Sequence, residues 1–323
     1  MVPASLVALV LAMPLAAEAK SFHGTNKSDK VKGTPKNDKF KAKGGNDQFK
    51  GMAGNDTTYG GDGNDVLTMG PGADKVYGET GDDVLNGGGG NDFADGGIGN
   101  DQIILNAGND TAFGGPGIDV IGTGTGDDQV HGDLDGDDIS LNEGNDIGWG
   151  GDGDDQIRGT AGNDTLYGEL GDDYVQGGDG NDKVYGGEGK DDLDGGIGND
   201  VVYGGGGDDH ISADEGDDIV YAGIGVNDVY GETGSDIIYV LEDGIRDEFY
   251  CGPVASGEPG DHIVFVGRQS TLPGQADHIN GCDRKLDVMI PDGSPEYNAL
   301  LPNFGPTPPG SARVVANRWV TNP

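Results

Sequence analysis

Carboxylates that recur at a fixed short interval can do one kind of chemistry well, because side by side they hold hard cations. From Asp29 to Asp236 an aspartate returns every nine residues over 24 repeats, with Asn227 the one departure. Segments 60–68 (GGDGNDVLT), 177–185 (GGDGNDKVY) and 195–203 (GGIGNDVVY) give the unit G-G-x-G-x-D-x-U-x, with U apolar. The fourth position is Gly in 21 of the 24 repeats, failing at Lys27, Lys36 and Asp135. The eighth is Val, Ile, Leu or Phe in 20, with Thr58, Ala94, Ala112 and Gly148 the weak members. Near Asp137 and Asp138 the pattern blurs without an insertion, since Asp128 and Asp146 stay two repeats apart.

Three residues around an apolar centre make a short strand, and six Gly- and Asp-rich residues make a turn, since Gly tolerates positive φ and Asp favours turns. Two units then close one coil of 18 residues, and coils stacked about 4.8 Å apart give a rod roughly 55 Å long. The expected fold is all-β, a parallel β-roll of about 12 coils with two repeats per coil. The eighth position points inward and the seventh and ninth point out. The sixth-position aspartates fall into two columns. One runs through Asp47, Asp65, Asp83, Asp101, Asp119, Asp155, Asp173, Asp191 and Asp209. The other runs through Asp56, Asp74, Asp92, Asp110, Asp128, Asp146, Asp164, Asp182, Asp200, Asp218 and Asp236. Stacked carboxylates repel by about 1 kcal/mol per pair in water and by more where water is excluded. A Ca²⁺ ion between turns reverses the sign, because it takes six to eight oxygens at about 2.4 Å.

The unit resembles the calcium-binding nonapeptide repeat of RTX proteins, a parallel β-helix that binds Ca²⁺. The resemblance covers roughly two thirds of the chain, in register, Gly, Asp and apolar positions together. It implies that the sixth-position Asp is the side-chain ligand and that turn carbonyls complete the shell. The twenty aspartates named above belong to repeats with both Gly at the fourth and Asp at the sixth position, and are the candidate metal ligands. Ions at most of their sites would bring about +40, near the magnitude of the net charge of -39.

Composition agrees. With 66 Gly and 33% hydrophobic residues in 323, there is too little apolar mass for two ordinary cores, so the fold must be thin and repetitive. The strongly negative balance argues against nucleic acid or an anionic membrane as partners and favours cations. Low hydrophobicity with high net charge is also the signature of disorder, which is the expectation for the calcium-free chain.

The ends differ from the middle. Val2 to Leu15 is almost wholly apolar and precedes Ala17-Glu18-Ala19, which predicts a signal peptide over 1–19 and a secreted protein. The run is too short for a membrane span. RTX proteins usually leave the cell through a C-terminal signal, so an N-terminal one points to the general secretory path. Residues 20–43 read as a Lys-rich cap whose first two repeats, with Lys27 and Lys36 in place of Gly, bind no calcium. The calcium-binding roll follows over 44–243. Residues 244–290 hold both cysteines, Cys251 and Cys282, consistent with one disulfide in an oxidising compartment. They resemble the cysteine-paired segment that closes such arrays. Seven prolines over 291–323 predict an extended tail.

One side of the roll reads Tyr59, Tyr77, Asp95, Phe113, His131, Trp149, Tyr167, Tyr185, Tyr203, Tyr221 and Tyr239 at the ninth position. This predicts either a stacked ladder that stiffens the strands or a platform for sugar rings or a cell-surface protein. Phe249, Tyr250 and Phe265 are expected to cover the strip near Tyr239 and to leave Tyr167 and Tyr185 exposed. No H-E-x-x-H or G-x-S-x-G occurs, and the five histidines are scattered. Carboxylate pairs such as Asp82-Asp83 recur at nearly every turn, which leaves no unique acid and base. The expectation is a non-enzymatic calcium-binding module, with a polysaccharide-binding or polysaccharide-modifying protein as the alternative.

Overall fold

The computed structural model describes residues 18–242, 247–252, 260–267 and 278–280. The chain winds into two parallel sheets of 14 strands each, and successive strands alternate between them. Through the repeats each strand pairs in register with the strand 18 residues on, as in Leu67↔Leu85 and Ile103↔Ile121. The two-repeat coil is therefore the structural unit. One sheet runs from Ser21–His23, before the nonapeptide array, to His262–Gly267, and the other from the first repeat at Lys30–Lys32 to His278–Asn280, so both extend past the array at its C-terminal end. Among the described residues no helix is long and apolar enough to cross a membrane.

Eighth-position side chains from both sheets meet in one seam, with Phe40, Leu67, Val76, Ile103, Val184 and Ile238 fully enclosed. The weak members are compensated by the first position of the unit, which also faces inward. Met69 sits beside Thr58, whose hydroxyl lies 3.4 Å from its sulfur. A Cβ added at Gly148 would lie 3.1 Å from Leu141 Cδ1, so Leu141 occupies the space that Gly148 leaves. Total core volume is conserved, which is what a close-packed interior demands.

The central strands are six residues long rather than three, as in Val66–Pro71 and Val84–Gly89. The Gly-Gly-x portion of the unit continues the ladder, with Gly70↔Gly88 and Pro71↔Gly89 still paired. Only three residues remain for the turn. The second position takes a left-handed φ at every repeat from Met52 to Glu232, as at Gly61 (φ 104) and Gly70 (φ 125), which lets the chain bend without leaving the sheet.

Stacking does not stop at Tyr239. The four-residue pieces Asp247-Glu248-Phe249-Tyr250 and Asp261-His262-Ile263-Val264 repeat positions six to nine, and they join the sheets at Val229↔Phe249 and Ile238↔Ile263. Phe249 is a fully buried member of the main core, not a cover for the aromatic strip. Cys251 is half-buried and packs against the same core. Its expected partner Cys282 lies outside the described residues, as do residues 1–17 and the tail over 291–323.

Candidate metal-binding columns

Each turn delivers its sixth-position aspartate into the interior beside the seam. From Asp47 to Asp236 these side chains are 0 to 4% exposed. One carboxylate oxygen, Oδ1, accepts the backbone N–H of the aspartate one coil earlier, at 2.6 Å for Asp47 N to Asp65 Oδ1 and 2.8 Å for Asp128 N to Asp146 Oδ1. The twenty candidate residues are thereby drawn into two continuous columns. The other oxygen, Oδ2, is enclosed and has no hydrogen-bond donor at any of them.

The glycines explain how close the columns are built. A Cβ on Gly78 would overlap both Asp83 Oδ2 and the carbonyl oxygen of Gly96, and one on Gly168 would overlap Asp173 Oδ2 and the carbonyl oxygen of Gly186. At these repeats the first-position Gly leaves room for a carboxylate and a backbone carbonyl of the next coil to approach one point, whereas Met69, Leu105 and Leu141 turn the same position into the core elsewhere. The donor set there is oxygen only, which suits a hard cation. Among the described residues no group of three or more His, Cys, Asp or Glu side chains could hold a metal. Each turn brings a single sixth-position carboxylate to its column, with backbone carbonyls beside it.

Burial pushes these carboxyls up from the ordinary aspartate range, to about 7 at Asp83 and Asp146 and about 8 at Asp137, Asp173 and Asp209. Desolvation is the largest cause, and neighbouring carboxylates add to it. The backbone N–H on Oδ1 opposes both.

Sequence reasoning missed several positions. Asp137 falls outside the Gly-plus-Asp pattern because Asp135 replaces the fourth-position Gly, yet it is 3% exposed, accepts Asp119 N–H at 2.7 Å and leaves Oδ2 without a donor. Asp135 adopts the left-handed φ (71) itself, a conformation that Asp tolerates better than most residues. Asn227 keeps the column contact, its Oδ1 accepting Asp209 N–H at 3.0 Å. Its Nδ2 is buried with no acceptor. Asp247 and Asp261 extend the columns, accepting from Asn227 N and Asp236 N at 2.8 and 3.2 Å. The D-x-apolar-x tetrads were the signal for them.

The ninth-position aromatics form a ladder with rings 4.2 to 5.8 Å apart. At the coil where the pattern reads Asp95, Phe93 from the seventh position supplies the ring, tilted by 44° and 42° to Tyr77 and Phe113. Elsewhere interplanar angles are at most 15°, as between Tyr167 and Tyr185. Ring faces are taken up by neighbouring rings, so only edges point outward. Tyr167 and Tyr185 are half-buried rather than exposed. Near Tyr239 the strip packs with Leu241 and Val264, while Tyr250 stacks on Tyr230 of the opposite sheet at 4.6 Å. Phe265 packs against the main core instead.

Stacked sheets closed by Gly-Asp turns, with inward carboxylates and carbonyls, define an all-β parallel solenoid built to take cations. The sequence model of the RTX calcium-binding nonapeptide repeat matches residues 23–67, 70–103, 104–139, 140–175, 168–202 and 203–238. The chain belongs to this family, and it binds multiple calcium ions. Among solved structures it is similar to a hyperactive, Ca²⁺-dependent, beta-helical antifreeze protein from an Antarctic bacterium, known from an X-ray crystal structure. That match has 21% identity and a TM-score of 0.54, and covers 79% of this chain and 86% of the other. No curated protein matches the chain.

Proposed function

We propose that the twenty aspartates from Asp47 to Asp236, together with Asp137, are the side-chain ligands of calcium ions held between turns, and that the roll folds as these ions bind. The carrying observation is the run of buried Oδ2 atoms without donors. A buried polar group without a partner costs about 1–3 kcal/mol, and more if charged. Some twenty of them exceed the roughly 5–15 kcal/mol by which a domain is stable. The metal-free chain with ionised carboxylates is therefore unfolded, and bound cations supply the missing partners. Each ion bridges two turns, so binding is cooperative along the array.

The signal-like N-terminus and the two cysteines support a secreted protein acting outside the cell, where millimolar calcium fills such sites. A disulfide between Cys251 and Cys282 would close the last coils. The role is structural or connective rather than enzymatic, because every turn carries equivalent carboxylates and no turn a distinct acid and base. A sugar platform on the aromatic side is disfavoured by the stacking of the rings on one another. The antifreeze activity of the structural neighbour would need a flat, regular face. Here the third position of the unit varies from Asp62 to Pro71 to the exposed Ile98 and Leu134.

Far-UV circular dichroism during a calcium titration tests the proposal. The expected result is a disordered spectrum in excess chelator and a cooperative rise of β structure with calcium. A roll fully formed in chelator would sink it.

A further inference from the structure

We propose that the Lys-rich end of the roll is a binding surface for an anionic polysaccharide, which the molecule engages end-on. This goes beyond the calcium columns and does not depend on which oxygens ligate the ions. Residues 20–50 hold nine of the 19 Lys and Arg residues against three acidic ones, Asp29, Asp38 and Asp47. All nine lysines are exposed. The three carboxylates are turned away from them, accepting backbone N–H groups from Thr25, Thr34 and Asp29. The sole ion pair among the described residues is Arg158–Asp138, far along the rod, so no lysine of the end coils is ion-paired among them.

The arrangement is unfavourable by itself. Lys32 and Lys50 stand directly opposite each other in register, with Lys30 on the same face. Lys39 and Lys41 project from the other sheet, 5.2 and 5.4 Å from the Tyr59 ring. Like charges opposite one another in a sheet repel. A chain with 58 acidic residues has ample means to offset them and does not do so here. An external polyanion completes the pairing. The lysines lie on both outer faces of the end coils, so a linear chain can run around the end and meet both sets. A flat membrane would meet one set only. The acidic body repels such a polymer along the rest of the rod. Charges are screened beyond about 8 Å at physiological salt, and three coils span roughly 10 Å or more, so the outermost lysines act apart from the body.

The test uses the full chain in saturating calcium, with dextran sulfate as probe and neutral dextran as control, from about 50 to about 300 mM NaCl. The variant K30Q/K32Q/K39Q/K41Q/K50Q removes the five strand lysines among the nine of the patch, and K183Q/K190Q removes two lysines of the body. Dextran sulfate should bind the native protein, at least tenfold more weakly the fivefold variant, and within twofold of native the K183Q/K190Q protein. Salt dependence should fall with the patch, and replacing the same five lysines by Arg should retain binding. Calcium-induced circular dichroism is followed throughout, so failure of this inference is separable from failure of the calcium reading. If the fivefold variant does not fold, K30Q/K32Q/K50Q on one face takes its place, with an expected loss of severalfold. Equal binding by the native and fivefold-variant proteins, equal binding of neutral dextran, or no binding at the lowest salt would overturn the proposal. Tighter binding to phosphatidylglycerol vesicles than to dextran sulfate would also overturn it.

Discussion

The first two repeats and the repeats from Asp47 onward place the same residue at the same position and leave it in opposite states. Asp29 Oδ2 accepts from the backbone N–H and the hydroxyl of Thr25, at 2.6 and 3.0 Å. At Asp38 the backbone N–H of Thr34 donates to Oδ2, while Oδ1 accepts the Thr34 hydroxyl at 3.1 Å and Lys20 N–H at 2.6 Å. Every sixth-position aspartate from Asp47 to Asp236 has no donor on Oδ2. In the cap the second-position Thr keeps an ordinary φ, as does Lys43 before the open Asp47, whereas from Met52 on that position is left-handed. One turn sequence thus satisfies its own carboxylate, and the other leaves it without a donor. A solenoid that folds on calcium needs both, because an end coil has a neighbour on one side only.

The largest expected break in this comparison is with pH, since under the proposed ligand set protons and calcium compete for the same oxygens. The array carboxyls have folded pKa values raised above the ordinary aspartate value, to about 6 at Asp164, about 7 at Asp146 and about 8 at Asp173. A group that binds protons more tightly when folded stabilises the fold at low pH and loses that contribution as pH rises through its folded pKa. In chelator, β structure should therefore be greater at about pH 5 than at about pH 8. With calcium the sign reverses, because ligands must be deprotonated. The calcium midpoint should rise on the order of tenfold or more as pH falls from about 7.5 to about 5.5. A midpoint independent of pH would exclude Oδ2 as ligand.

How much of this was legible beforehand follows from what repeats. The 18-residue coil, the inward eighth position and the two Asp columns could be read because each unit restates them 24 times. Features that depend on two positions compensating each other could not. Met69 beside Thr58, Leu141 beside Gly148 and Phe93 beside Asp95 all break the single-position pattern in order to preserve volume or stacking. The coils beyond Tyr239 were hidden because they are longer by insertion, and only the strand tetrads keep the pattern. The state of Asp29 and Asp38 was half legible, since Lys27 and Lys36 marked the repeats as different but not the threonines as donors.

Single substitutions sharpen the contrast. Asp164→Ala removes an Oδ2 in mid-array, where ions on both sides would share it, so calorimetry should show at least one fewer bound ion and a several-fold higher calcium midpoint. Asp38→Ala should leave the number of ions unchanged. It frees the Thr34 and Lys20 amides and should cost about 1–3 kcal/mol in denaturant unfolding of the loaded protein. The same change in stoichiometry from both would erase the distinction between cap and array.

Asn227 tests the array from within. Its amide nitrogen stands where other repeats place Oδ2 and is buried without an acceptor. Asn227→Asp restores an anionic oxygen at that point without changing side-chain size. The expected gain is one more calcium ion per chain, with the remaining sites unaltered. A variant that binds no additional ion would show that a donorless oxygen in this column is not sufficient for a site.

The smallest effect concerns the backbone that leaves the array carboxylates open. Of the non-Gly residues that hold a left-handed φ at the second position, Thr160 (φ 88) is the only β-branched one. For an L-residue this region costs roughly 1–2 kcal/mol, and β-branching makes it a genuine outlier. Thr160→Gly removes that strain but adds about 0.4–1 kcal/mol of unfolded-state entropy. The net expectation is a stabilisation of about 0.5–1 kcal/mol in saturating calcium, read from denaturant unfolding. One coil on, a Cβ at Gly178 would overlap the Thr160 carbonyl oxygen at the same left-handed φ (110). Gly178→Thr should therefore destabilise by more than Thr160→Gly stabilises, because it adds a steric overlap to the conformational strain. Two changes of equal size and opposite sign would mean that strain alone governs the second position and that the close approach of successive coils contributes nothing.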